Sequence, residues 1–256
     1  IYISLTEWNG IGDPTFVGTE NYTMLFKDYM FWDALKNTVV YWISGVVLIL
    51  ILALIISSLL NYSRLRARSF FKSATYLPNI CAVISMGLIF SMLFEQNTGL
   101  VNQVLVTFGG ERVDWLTGTR YSKLPVIVLN VWRNTPWFTM ILLSGLLNIS
   151  PEYYEAAKVD GANAFQRFFS ITLPSLSNVM FFCFITLTAD SWKLFNEPYM
   201  LQGPGTSNVS LFQYMYESGF NIFKLGYASA IGCVLTLILL IVSVIQFIIR
   251  VKQGEV

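Results

Sequence analysis

In 256 residues the chain carries 55% hydrophobic and only 12% charged side chains, with a mean hydropathy of +0.58 and a net charge of +1. Soluble domains do not have this composition, and nucleic-acid binding needs a basic surface that is missing here. There is no histidine, which removes the commonest general base and the commonest zinc or copper ligand. No GxxxxGK[ST] run cradles a nucleotide, so any ATP-driven work falls to a partner.

Crossing ~30 Å of hydrocarbon takes a helix of ~20 mostly apolar residues. Ile1–Leu5 reads as the last turn of a further apolar span, a sixth in the intact protein. Residues 6–36 form an outer interfacial segment whose scattered aromatics, Trp8, Phe16, Tyr22, Phe26 and Trp32 among them, suit short helices at a membrane boundary. The transmembrane domain occupies residues 37–256. Its first complete span is Val39–Leu60, and Arg64, Arg66, Arg68 and Lys72 crowd the junction to the second, Phe70–Phe94. After an outer loop, Glu95–Lys123, the third span runs over Leu124–Leu147.

Arg133 and Asn134 fall near the middle of that third span, beside Trp132, Pro136 and Trp137. A centred arginine costs ~2.5–3.5 kcal/mol even on the mild insertion scale, so it must face a cavity or a partner. Two readings stand side by side: a lining of the translocation path, or a hydrogen bond to another span or a second permease.

A polar island follows. Ser150 is a good N-cap, Pro151 suits the first helical position, and Glu152 and Glu155 complement the helix dipole. Gly161 can end this helix in a left-handed conformation, and Asn163 can cap a second short helix through Phe165, Arg167 and Phe168. Pro174 is expected to start the fourth span, Pro174–Asp190. The island therefore predicts a helix–turn–helix over 150–172, read either as a plain interfacial connection or as a docking element.

Beyond the fourth span, Asp190, Trp192, Lys193 and Asn196, with Phe195, Glu197 and Tyr199, form a second polar and aromatic cluster. Aromatic and amide groups together suit a sugar, whose faces stack while its hydroxyls hydrogen-bond; aromatics at a boundary also serve as belt residues. Asp190 and Lys193, three apart, can pair with each other. Gly203-Pro204-Gly205 marks a tight turn. The fifth span is Tyr227–Ile249, followed by Arg250 and Lys252.

These spans are expected to be helices, because lipid leaves no backbone group unpaired. The basic cluster at 64–72, Lys158 and Arg167 in the island, and Arg250 and Lys252 fall on one side if all five spans cross, which makes that side and the C-terminus cytoplasmic. Cys81, Cys183 and Cys233 lie in apolar runs without CxxC spacing and read as buried hydrophobes. The fold class is an all-α membrane protein.

Glu155-Ala156-Ala157, then Asp160-Gly161-Ala162, then Ile171-x-Leu173-Pro174 with nine residues between Gly161 and Ile171, resembles the EAA loop of bacterial ABC import permeases. Further stretches are similar to the maltose-type, carbohydrate-importing branch: Phe16-Val17-Gly18, Ala34-Leu35-Lys36-Asn37-Thr38, Tyr76-Leu77-Pro78, Gly99-Leu100-Val101-Asn102 and Tyr214–Phe220. One departure is Gln202-Gly203-Pro204, where that branch often has Gly-Gly-Pro.

The resemblance implies a MetI-like helical bundle in the bacterial cytoplasmic (inner) membrane. It makes Glu155, Ala156, Ala157, Asp160, Gly161, Ile171, Leu173 and Pro174 the coupling loop, seated on an ATP-hydrolysing subunit. It also implies a second, different permease chain, two ATP-binding subunits that use ATP and Mg, an extracellular solute-binding protein, and a sugar cargo. The chain itself is expected to bind no cofactor and to be no enzyme. The alternatives are import of an acidic sugar, a sugar phosphate or another polar solute, and a non-transporting scaffold. A membrane-embedded enzyme is disfavoured by the absence of His, of paired intramembrane carboxylates and of a nucleophile motif.

Overall fold

The computed structural model describes residues 1–61 and 68–252; Arg64 and Arg66 of the basic cluster lie outside them. A 3-10 turn (Tyr2–Leu5) leads into a two-residue antiparallel hairpin, β1 (Thr6–Glu7) with β2 (Thr15–Phe16), in the register Thr6 to Phe16. All other regular structure among the described residues is helical. Helix α1 is Glu20–Lys27, and α2 is Tyr29–Asn61. The first long helix thus begins in the aromatic segment, eight residues before residue 37.

Along α2 the buried residues Phe31, Ala34, Thr38, Tyr41, Gly45, Ile49, Ala53 and Ser57 recur at helical spacing and form one inward face. The opposite face, with Val40, Ile43, Val47, Ile51 and Ile55, is apolar and exposed, as a helix in lipid requires. Helix α6 (Lys123–Leu147) packs along α2 in the same direction, with Asn130 beside Gly45, where a Cβ would sit 3.2 Å from the amide nitrogen. Helix α10 (Ser177–Trp192) runs back between them and completes a core of Val46, Ile49, Ala53, Phe138, Leu142, Cys183 and Leu187.

The second expected span, Phe70–Phe94, is not one helix. It is α3 (Arg68–Ile80) and α4 (Val83–Leu93), which meet at 91°. Pro78 lacks the amide that would bond one turn back, and three residues on the chain leaves the helix, with Ala82 extended at ψ 127. Helix α5 (Leu100–Thr107) closes the loop that follows.

The start of the fourth span also differs from expectation. After α7 (Pro151–Val159) and α8 (Ala164–Arg167), a π turn (Phe168–Thr172) and the short α9 (Leu173–Ser175) carry Pro174 inside a continuing helix. The break comes at Leu176, where the axis turns by 65° into α10. The wider turn accommodates the missing Pro174 donor, so the proline sits before the bend instead of opening the span.

Helices α11 (Asn196–Met200) and α12 (Leu211–Tyr216) and a π turn (Glu217–Asn221) precede α13 (Leu225–Lys252). Helix α13 packs on the Tyr2–Leu5 turn, α10 and α12. Among the described residues two helices, α2 and α13, are long and apolar enough to cross a membrane, and up to four spans result if each bent pair counts as one. Helix α6 has the length, 25 residues, but Asn130, Arg133, Asn134 and Pro136 interrupt its apolar run.

Candidate functional site

Five of the seven residues expected along a path meet at one place. Arg133 and Asn134 on α6, Asp190 at the end of α10, and Lys193 and Asn196 just beyond it line a cavity of about 180 Å³, together with Asn130, Phe138, Phe195 and Glu197. The local sequence explains the convergence. Helix α10 ends at Trp192, and Lys193 caps it, its amide donating to the Asp190 carbonyl at 3.1 Å. The chain then turns through Phe195, and α11 brings Asn196 and Glu197 back beside the centre of α6.

Within the cavity Arg133 Nη1 donates to Glu197 Oε1 at 2.8 Å, and Glu197 is 2% exposed. The interhelical partner considered for Arg133 is therefore this carboxylate, and the arginine still borders the cavity. Asn134 Nδ2 donates to Asn130 Oδ1 (2.7 Å) and to the Asn130 carbonyl (3.0 Å), one turn earlier. Asp190 and Lys193 pair at 3.7 Å on the exposed rim. From α3, Asn79 Nδ2 reaches the Arg133 carbonyl at 3.4 Å.

Trp132 and Trp192 do not line this cavity. The Trp132 ring lies against Phe90, centroids 5.5 Å apart, on an exposed face. Trp192 is 2% exposed and packs on Trp42 at 6.0 Å. Both follow from helical phase, since each is one residue from a cavity residue and so about 100° around the helix. Asn130 was missed by sequence reasoning, although its position four before Asn134 is a same-face signal.

A larger cavity, about 450 Å³, opens where residues 7–24 meet 223–227, lined by Glu7, Trp8, Asp13 and Glu20 among others. It lies away from the bundle centre and gathers none of the expected path residues. The cavity between α6, α10 and α11, with charges and amides brought from three helices, has the stronger chemistry.

At the far end of α6 the polar island folds as its caps dictate. Ser150 Oγ accepts from the Glu152 amide at 3.3 Å, and Gly161 adopts φ +80, with the Ala162 amide closing on the Ala157 carbonyl at 2.9 Å. Asn163 and Gln166 form a reciprocal capping box, 2.9 and 2.8 Å. The upper surface exposes Tyr153, Glu155, Ala156, Val159, Asp160, Gly161 and Phe165, while Ala157, Ile171 and Leu173 are partly covered and Pro174 is exposed. Val159 is 88% and Phe165 72% exposed, large apolar groups that a lone soluble surface rarely leaves bare. Beneath, the Tyr154 hydroxyl meets Thr172 Oγ1 at 2.9 Å, and a cavity of about 610 Å³ separates the island from the ends of α2 and α6.

Among the described residues no group of acidic, cysteine or histidine side chains is arranged to hold a metal. The three cysteines are unpaired, Cys183 buried and the others half-buried.

Residues 45–252 match the model of the family described as binding-protein-dependent transport system inner membrane component. The chain is 34% identical over 239 residues to the lactose transport system permease protein of Rhizobium radiobacter, covering 91% of this chain and 80% of that one. It is 33% identical over 239 residues to the arabinooligosaccharides transport system permease protein of Bacillus subtilis (strain 168), covering 92% and 76%. A chain of a bacterial ABC transporter involved in import of the acidic polysaccharide alginate superposes with TM-score 0.83, covering 93% of this chain and 84% of that chain. That structure is 23% identical and so bears on the fold alone.

Proposed function

This chain belongs to the family of binding-protein-dependent transport system inner membrane components, and on that premise we propose that it is the permease of an ATP-driven importer taking up a sugar or oligosaccharide. The observation that carries the proposal is the cavity between α6, α10 and α11, where charged and amide side chains converge inside an apolar bundle. Polar side chains at membrane depth are costly and are retained for a path or a partner. A cavity of about 180 Å³ falls below the ~300–1,000 Å³ of usual ligand pockets. It has room for one sugar ring, and a longer saccharide extends beyond it.

In this reading Asn130, Asn134, Asn196 and Arg133 hydrogen-bond hydroxyls, and Phe138 and Phe195 offer apolar faces. The island at 150–172 is the coupling element. Tyr153, Val159 and Phe165 bury against an ATP-binding subunit, and Glu155 and Asp160 at the Gly161 turn supply charged hydrogen bonds at its centre. The small Ala156 and Ala157 permit close approach. Ile171, Leu173 and Pro174 carry the loop's displacement into the bend at Leu176. Two such subunits hydrolyse ATP with Mg, a second permease chain completes the path, and an extracellular binding protein delivers the cargo. The island and the C-terminus then face the cytoplasm. The chain performs no catalysis itself.

The test is substrate-stimulated ATP hydrolysis and uptake by the assembled complex in proteoliposomes. Asn134→Ala is expected to lower uptake about tenfold, the loss of roughly one well-placed hydrogen bond to a bound sugar, with assembly intact. Wild-type uptake in that variant excludes the cavity as the path. A fully assembled complex whose hydrolysis ignores substrate favours the scaffold reading instead.

A further inference from the structure

Resting on the reading of this cavity as the sugar path, we infer that Glu197 is a specificity-determining residue: it masks the charge of Arg133 so that the site selects uncharged saccharides and rejects acidic ones. The cavity holds two cations, Arg133 and Lys193, and sequence alone suggests that they welcome an anion. The geometry cancels both. Arg133 is met by Glu197 at 2.8 Å and Lys193 by Asp190 at 3.7 Å, so the lining carries no net charge.

The two pairs are unequal. Asp190 and Lys193 are both more than half exposed, and an exposed pair of this kind is weak and readily exchanged. Glu197 is 2% exposed and Arg133 retains 23% of its side-chain surface. Both border the cavity, Glu197 as the enclosed member of the pair and Arg133 as the more accessible one. A buried carboxylate at that distance is not displaced by an incoming one without leaving an uncompensated buried charge.

Neutralising Arg133 does not silence it. Guanidinium presents five N–H donors, and the structure commits one of them, on Nη1, to Glu197. Arg133 thus offers spare donors to hydroxyl oxygens while its charge is balanced. A carboxylated sugar gains no ion pair here and meets Glu197 and Asp190 as like charges, which is discrimination by repulsion as well as by contact. Asn130, Asn134 and Asn196 add uncharged donors and acceptors around the same space.

The experiment uses the complete complex, with thermal-unfolding midpoints titrated against a neutral panel (maltotriose, raffinose, arabinotriose) and against trigalacturonate. At least one neutral trisaccharide is expected to stabilise the wild type, and trigalacturonate is not. In Glu197→Gln, unmasking Arg133 is expected to raise trigalacturonate affinity at least about tenfold and to weaken the neutral ligand, in line with the gain of one close charge pair. The double variant Arg133→Gln with Glu197→Gln carries neither charge. It is expected to keep the neutral preference, and a gain of trigalacturonate binding in it overturns the inference even if the single variant does not assemble.

Several results overturn the inference. It falls if trigalacturonate binds the wild type as well as any neutral sugar, or if no neutral sugar binds. It falls equally if Glu197→Gln keeps the wild-type preference, or if the double variant gains trigalacturonate binding. Asn134→Ala separates the two levels of the argument. If it binds neutral sugar like the wild type, the cavity is not the path. If it loses binding while Glu197→Gln keeps the wild-type preference, the path stands and the masking role falls.

Discussion

Thr188 illustrates how single polar residues hold the bundle in register. Its hydroxyl accepts from Trp42 Nε1 at 3.0 Å and from Gln246 Nε2 at 2.8 Å, and donates to the Phe184 carbonyl at 2.9 Å. One donor and two acceptors exhaust what a hydroxyl can do, so three helices, α2, α10 and α13, are tied at one atom. In an apolar surround the alternative for each partner is an unpaired polar group. Thr188→Val keeps the shape and strands two donors. It is expected to cost about 1–3 kcal/mol, read as a lower unfolding midpoint of the purified complex, whereas Thr188→Ser retains most of the stability. A Thr188→Val variant as stable as the wild type would show that the three-way tie contributes nothing. Sequence pointed to none of this, because Trp42 lies 146 residues from Thr188 and Gln246 58, and a threonine in an apolar run carries no signal of its own.

Helix α13 is secured at both ends by side chains of other elements. At one end Asp28 accepts from the hydroxyls of Tyr214 and Tyr227. Burial pushes the Asp28 carboxyl up, but those hydroxyls and the amides of Met30 and Phe31 outweigh it and hold it below the usual carboxylate range. At the other end Arg250, 7% exposed, donates to Ser177 Oγ (3.2 Å) and Asn178 Oδ1 (2.6 Å) and lies over the Phe181 ring at 5.0 Å. The fixed starting point of the helix is Gly226. A Cβ there would stand 1.9 Å from the Thr6 carbonyl oxygen, a backbone atom that cannot swing aside. Gly226→Ala is expected to destabilise by about 3 kcal/mol or more, among the larger single-residue effects, and to free residues 1–16 for limited proteolysis. Wild-type protease resistance in that variant would contradict the close approach. The same glycine read from sequence is only the last residue before an apolar span; what makes it necessary is a strand more than 200 positions away.

At the scale of the whole molecule, local chemistry was legible and long-range geometry was not. The caps at Ser150 and Asn163 and the turn at Gly161 could be read because each is settled within a few residues. The breaks at Cys81–Ala82 and Leu176 could not, since a proline announces a disturbance without fixing where the axis turns. The two polar clusters read separately in the sequence are one cavity because α11 folds back on α6, joining Arg133 to a residue 64 positions on. The proposed orientation has a direct check. Asp160→Cys should react with a membrane-impermeant maleimide only from the cytoplasmic side, and Glu111→Cys only from outside; the reverse pattern would invert the assignment. The bend at Leu176 also has a mechanical consequence. From it, α10 extends 16 residues, about 24 Å at 1.5 Å per residue. A tilt of about 10° at the bend would swing the far end of a helix of that length through roughly 4 Å. Asp190 and Lys193 both sit at that far end and would travel together, so such a tilt would shift this side of the cavity as one piece against Arg133 and Asn134 on α6.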